Sequence, residues 1–198
     1  MVLKILLSRL FFMLVIAIPA IIILARYASG VGGLGWVLDA SGEWAVRLLI
    51  ATLAVTPIRM MFRGQHWTAW LFKRRRDLGM AAFLYAALHL AVYMIRQSNL
   101  HLILYEAPYK EYLMGWVAFA TMLVLAIVSN DWSVHHMGTW WKWLQRFVYV
   151  TAVAAFLHWF WIRQDHTAAY LHFAPLVLLE AYRLISNFAR PARHHRAE

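Results

Sequence analysis

No cysteine occurs anywhere in the 198 residues, and that absence removes several chemistries at once. Iron–sulfur clusters, covalently attached c-type haem and disulfides all need cysteine sulfur, so histidine is left as the main soft-metal ligand. Charge is scarce too: Asp, Glu, Lys and Arg make up 14% of the chain, against about a quarter in a soluble domain. Apolar residues take their place, 63% of the chain with 16% aromatic, more than a soluble domain of this size needs. Lipid is the simplest environment for the excess. The formal charge of +10 then fits a membrane protein obeying the positive-inside rule better than a nucleic-acid binder.

The apolar residues fall into six stretches of helical length. The first runs from Leu10 to Ala25 with Pro19 inside. Lys4 and Arg9 ahead of it also suit a signal peptide, but Arg26 and Tyr27 resemble an interface anchor, so an anchored helix is expected. Gly30-Val31-Gly32-Gly33-Leu34-Gly35 matches G-x-G-x-x-G literally, yet no strand precedes it, and it reads as a flexible turn. The second span covers Trp44 to Phe62, with Arg47 and Arg59 snorkelling from its ends and Pro57 near its exit. A basic loop with Arg63, His66, Lys73, Arg74, Arg75 and Arg76 leads to the third span, Asp77 to Arg96. A polar loop holding His101, Glu106, Pro108 and Lys110 precedes the fourth, Tyr112 to Ser129, and Asn130 to Gly138 forms the next loop. The fifth is the run from Phe147 to Ile162, with Trp140, Trp141 and Trp143 before it and Trp159, Phe160 and Trp161 at its end, as in an aromatic belt. The sixth covers Ala168 to Ile185, and a basic tail begins at about Arg190. Trp36, Trp67, Trp70 and Trp116 are candidates to line a ring-binding site, with interface anchoring the preferred reading of each.

The expected fold is all-α: one bundle of six transmembrane helices, with residues 1–198 forming a single domain. Of the 19 lysines and arginines, five (Arg26, Arg47, Arg96, Lys110 and Arg163) fall on one side and the other fourteen on the side of the termini. That asymmetry places both termini in the cytoplasm.

Two spans each hold a single histidine, His89 in the third and His158 in the fifth. An imidazole in lipid is expensive unless the protein interior uses it. Each lies twelve residues from the cytoplasmic entry of its span, Asp77 or Arg146, which puts both about 18 Å along helices of the same direction. Two neutral imidazoles at one depth suit the axial positions of a six-coordinate haem iron in a bundle core. The bland alternative is that each ring bonds a backbone carbonyl or a hydroxyl. His172, near the outer end of the sixth span, is a substitute ligand or an interface residue. His135, His136, His66, His101, His166, His194 and His195 are expected to be solvated. Glu180 pairs with Arg183 one turn on. Arg74, Arg75 and Arg76 set topology, or pair with a haem propionate or an anionic lipid.

The block Arg75-Arg76-Asp77-Leu78-Gly79 leading to Leu88-His89-Leu90 resembles the third helix of the MsrQ family. These are the haem-binding membrane subunits of periplasmic methionine sulfoxide reductase systems, within the ferric-reductase-like transmembrane group. Phe147-Val148-Tyr149 leading to Leu157-His158-Trp159 resembles the family's fifth helix, and Gly32-Gly33-Leu34-Gly35 and Leu53-Ala54-Val55-Thr56-Pro57 are similar to it too. The resemblance implies b-type haem, with His89 and His158 at the family's essential histidines. It further implies an inner-membrane location, electrons drawn from membrane quinones, FMN as an accessory cofactor, and delivery to a periplasmic molybdopterin enzyme that reduces methionine sulfoxide. One departure stands out. Many relatives carry a further histidine where this chain has Gln145, and a neutral amide binds haem iron poorly. One haem is therefore expected, and a second with the same ligation is not. Arg75, Gln145 and His172 are the other candidate haem-proximal residues, with His66, His135 and His136 as further help for any second group.

The expected role is electron transfer without bond chemistry on this chain, since two axial ligands leave iron no open position. No flavin or nicotinamide domain is expected after Arg190, so the donor is expected to be separate. Asp39, Glu43, Glu106, Lys110 and Asp165, read as external loop residues, are expected to dock the acceptor. Two rivals remain: a cytochrome b serving ferric or superoxide chemistry, and a small transporter or assembly factor with structural histidines.

Overall fold

The computed structural model describes residues 8–163 and 166–189; Lys4, Asp165 and the basic tail from Arg190, with His194 and His195, lie outside the described residues. Every regular element among the described residues is helical. In order they are α1 (Arg9–Ala28), α2 (Leu34–Met61), α3 (His66–Gln97), α4 (Leu100–Glu106), α5 (Lys110–Ile127), α6 (Asp131–Met137), α7 (Thr139–Leu144), a 3₁₀ turn (Gln145–Phe147), α8 (Val148–Ile162) and α9 (Thr167–Phe188). Five of them, α1, α2, α3, α5 and α9, are long and apolar enough to cross a membrane.

The fifth expected span departs from a single helix. Its α-helical part, α8, has 15 residues, and the path back to Thr139 passes through the 3₁₀ turn. Three of the expected loops are helical in part. The basic stretch from His66 to Arg76 forms the first turns of α3, because Gly64 at φ 82° ends the preceding turn and lysine and arginine are good helix formers. Their charges find partners: Arg75 donates to Thr56 at 3.2 Å, and Arg76 meets the Ser129 carbonyl at 2.7 Å and Asp131 at 2.6 Å. Asn99 and Asn130 act as N-caps that start α4 and α6 inside the other two expected loops. The glycine-rich stretch behaves as expected, turning the chain between α1 and α2 with Gly30 at φ 75°.

Two antiparallel hairpins make the centre: α2 packs along α3, and α5 along α8. Leu48, Leu49, Leu53, Val55, Leu78, Ala82 and Tyr85 form the buried seam of the first. In the second, the Thr121 and Thr151 hydroxyls bond across the helices at 2.8 Å, a contact that costs little to bury because both side chains also bond their own helix backbones. Helix α9 packs on α2, and α1 lies outside α2 and α3.

Helix α1 is held at its weak point. Pro19 removes one backbone donor and strains the turn around it. There the Tyr85 hydroxyl accepts from the Ala20 amide at 2.8 Å and donates to the Ile16 carbonyl at 2.9 Å. Buried Asp77 adds a second tie, accepting from Arg9 at 2.8 Å. Tyr85→Phe is expected to loosen α1 at a cost of about 1–3 kcal/mol, read as a lower unfolding midpoint in detergent.

Candidate functional site

His89 on α3 and His158 on α8 come together although their helices belong to different hairpins. Their ring centroids are 6.2 Å apart, with planes at 84°. Both line one cavity of about 440 Å³, with walls from α2, α3, α5 and α8. Its apolar lining includes Leu49, Ala86, Phe119 and Met122, and Asp39, Glu43, Arg96, Glu106 and Arg163 supply charge.

The rings share one mode of support. His89 Nδ1 lies 2.8 Å from the Leu38 carbonyl on α2, and His158 Nδ1 lies 2.6 Å from the Glu111 carbonyl on α5. A carbonyl oxygen only accepts, so the contact places a proton on Nδ1, and in the neutral ring that leaves Nε2 unprotonated. A metal-binding imidazole needs this state, and a backbone carbonyl is a usual partner for its other nitrogen. The spacing agrees. Two metal–imidazole bonds of about 2 Å each, with roughly half a ring at either end, put centroids about 6 Å apart. Among the described residues, no three His, Asp or Glu side chains form a metal-holding group.

The other candidates lie elsewhere. His172 donates from Nδ1 to its own helix at the Ala168 carbonyl, 2.7 Å away, and its Nε2 accepts from Arg47 at 3.2 Å. Both nitrogens are occupied, and the ring packs on Trp159 outside the cavity wall. His172→Ala is expected to leave any chromophore bound in the cavity with its absorption maxima unchanged, checked by comparing spectra of the two purified proteins. Arg75 is fourteen residues before His89, about 21 Å down the same helix, and does not line the cavity. Gln145 opens the 3₁₀ turn, with its amide nitrogen buried and without a partner among the described residues.

Several smaller expectations change. Asp39 and Glu43 are on helix α2, not in a loop, and they engage Arg163 at 3.2 and 3.8 Å. Glu106 accepts from Tyr93 and Gln97 at 3.1 and 2.7 Å, and Lys110 sits over the Trp161 ring. Trp116 lines the cavity, which favours the ring-binding alternative for it over interface anchoring, and Trp159 is buried in the core. His166 stacks on Phe160 instead of standing in solvent, while His66, His101 and His135 are exposed and His136 stacks on Trp132. The Glu180–Arg183 pair forms at 2.8 Å, and Arg183 also donates to the Tyr149 hydroxyl.

The carbonyls of Leu38 and Glu111 and the arginine at the cavity rim, Arg96, went unnoticed in the sequence. Backbone acceptors carry no sequence signal, and Arg96 looked like an ordinary span end.

Comparison with known proteins agrees with this geometry. A family model described as the ferric reductase like transmembrane component matches residues 41–156, a range that includes His89 and ends two residues before His158. The haem-binding subunit MsrQ of the protein-methionine-sulfoxide reductase of Rhizobium meliloti (strain 1021) is 41% identical over 120 residues, 59% of this chain and 53% of that protein. The MsrQ subunit of Agrobacterium fabrum is 33% identical over 168 residues, 80% of this chain and 76% of that protein. That of Ralstonia nicotianae is 35% identical over 136 residues, 67% of this chain and 61% of that protein. The chain thus spans about half to three quarters of the length of these relatives. No solved structure matches. With most of the chain aligned to MsrQ subunits and the family model covering the greater part of the helices that build the cavity, the chain belongs to the ferric reductase like transmembrane family, in its MsrQ branch.

Proposed function

We propose that this chain is a b-type haem electron-transfer subunit, with His89 and His158 as the two axial ligands. The observation that carries the reading is the pair of imidazoles 6.2 Å apart on one cavity, each with Nδ1 on a backbone carbonyl, which leaves Nε2 of a neutral ring free to bind metal. The printed names of the relatives, haem-binding subunits of methionine sulfoxide reductase, support the same assignment. Bound there, the haem would supply a one-electron couple at its iron.

The chain's own residues do the rest. His89 and His158 would both hold the iron, and two such ligands would leave it no position for oxygen or a sulfoxide. Leu49, Phe119 and Met122 keep the cavity apolar, so the charge on the group is stabilised by few, fixed dipoles. Arg96, exposed at the rim and without an ion-pair partner among the described residues, suits the carboxylate edge of a porphyrin, a role the sequence had offered to Arg75.

In this reading the chain sits in the bacterial inner membrane with six crossings and both termini cytoplasmic, the path from Thr139 through α8 making the fifth. It takes electrons from membrane quinones, with FMN as an accessory cofactor, and delivers them to a periplasmic molybdopterin enzyme that reduces protein methionine sulfoxide. Binding nucleic acid has no place in it. The family model's description favours one other reading, a cytochrome b that reduces ferric chelates.

The test is an absorption spectrum of the detergent-extracted protein, oxidised and dithionite-reduced. A low-spin b-type spectrum is expected. A colourless protein would return the histidines to a structural role. Reconstitution with the methionine sulfoxide reductase or with a ferric chelate then separates the two acceptors.

A further inference from the structure

The cavity is built twice over from one local device. On α2, Leu38 offers its carbonyl to His89, and Gly42 lies four residues on. On α5, Glu111 offers its carbonyl to His158, and Gly115 lies four residues on. Residues four apart share a helix face, and a helical side chain covers the turn before its own Cα. The carbonyl of residue i is therefore screened by the side chain of residue i+4. It also already accepts that residue's amide, so a second donor must reach its remaining lone pair from the side. A glycine at i+4 leaves that approach open to a ring as broad as imidazole.

The distances bear this out at both places. A Cβ on Gly42 would lie 2.8 Å from His89 Nδ1 and 2.9 Å from its Cε1. A Cβ on Gly115 would lie 2.9 Å from both Nδ1 and Cε1 of His158. The same edge of each imidazole thus rests on a bare glycine. Gly79 is different: its Cβ would meet Thr52 Cγ2 at 3.6 Å, an ordinary contact. Glycine inside a helix destabilises it relative to alanine, so its presence at two such points calls for a reason of this kind.

We propose that Gly42 and Gly115 are positioning residues, which hold His89 and His158 against backbone carbonyls and so fix the tautomer and orientation of both imidazoles at the cavity. The proposal deepens the haem reading and rests on it for its spectroscopic consequence, though not for the steric one.

The experiment uses Gly42→Ala, Gly115→Ala and Gly79→Ala, with His89→Ala and His158→Ala as partners in double variants. Two quantities are read: unfolding midpoint in detergent, and the low-spin spectrum and midpoint potential of the haem. Gly42→Ala and Gly115→Ala are expected to weaken haem retention roughly 10- to 100-fold, as loss of an outer-shell partner does, and to shift the potential of what remains. Gly79→Ala should leave both unchanged. In the stability cycle, Gly42→Ala is expected to lower the midpoint beside His89 and to be harmless once His89 is alanine; Gly115 and His158 should behave alike. If a glycine variant fails to insert, its double variant should recover insertion.

Unchanged retention and potential in both glycine variants would overturn the proposal. So would a stability penalty that persists when the facing histidine is removed, which would assign the glycines to helix packing. Failure of the haem reading shows separately, as a wild-type protein without colour, and the stability cycle still decides the steric claim.

Discussion

His158→Ala, and equally His89→Ala, is expected to abolish the low-spin haem spectrum while leaving a protein that inserts in the membrane. The two halves of that expectation have different causes. Six-coordinate low-spin iron needs both axial nitrogens, so loss of either ring removes the state altogether. Loss of the ring strands no polar group, because the Leu38 and Glu111 carbonyls keep the amide bonds of their own helices. The buried cluster of α2 and α3 also runs along the hairpin, from Val37 to Val55 and from Leu78 to Val92, and its apolar contacts remain when His89 is truncated. The measurement is a reduced-minus-oxidised difference spectrum, normalised to protein recovered from the membrane fraction. Wild-type spectra from both variants would remove the ligand assignment.

Leu53→Ala should do the opposite, weakening the fold and sparing the chemistry. Leu53 is 1% exposed and is among the largest fully buried side chains. In water such a truncation loses a transfer term as well as leaving a cavity, and the sum is about 2–5 kcal/mol. In a bilayer the transfer term shrinks, because lipid tails are as apolar as leucine, and lost packing remains. The expected cost is therefore near the lower end, about 2 kcal/mol. It would appear as a lower unfolding midpoint and less recovered protein, with the absorption maxima unmoved. A displaced maximum would mean that packing at Leu53 reaches the cavity.

Much of this architecture was legible without coordinates. Six apolar runs predicted six helical regions, and the helices lie where those runs do, α2 and α3 extending further than expected. Boundaries were less accurate, because charge was read as loop. Lys73 to Arg76 are helical since helix propensity depends on backbone and rotamer freedom, which arginine satisfies well. The Glu180–Arg183 pair was predictable because i and i+3 neighbours meet on any helix.

The site divides in the same way. His89 and His158 stood out because a lone imidazole in an apolar run is costly, and equal depth could be counted along each helix. His172 passed the same filter, and only the fold showed its nitrogens taken by Arg47 and the Ala168 carbonyl. Arg75 does not line the cavity, whereas Arg96, seven residues past His89 on the same helix, does.

The sequence alone determined what is local: helical runs, their apolar character, and the place of each histidine within its run, since each depends on neighbours a few residues apart. Tertiary structure decided which faces meet. Leu38 and His89 are 51 residues apart, Glu111 and His158 are 47 apart, and no periodicity encodes a carbonyl left open by a glycine on another helix. The contact that sets the state of each imidazole is made by backbone, whose chemistry is the same at every position until packing chooses one.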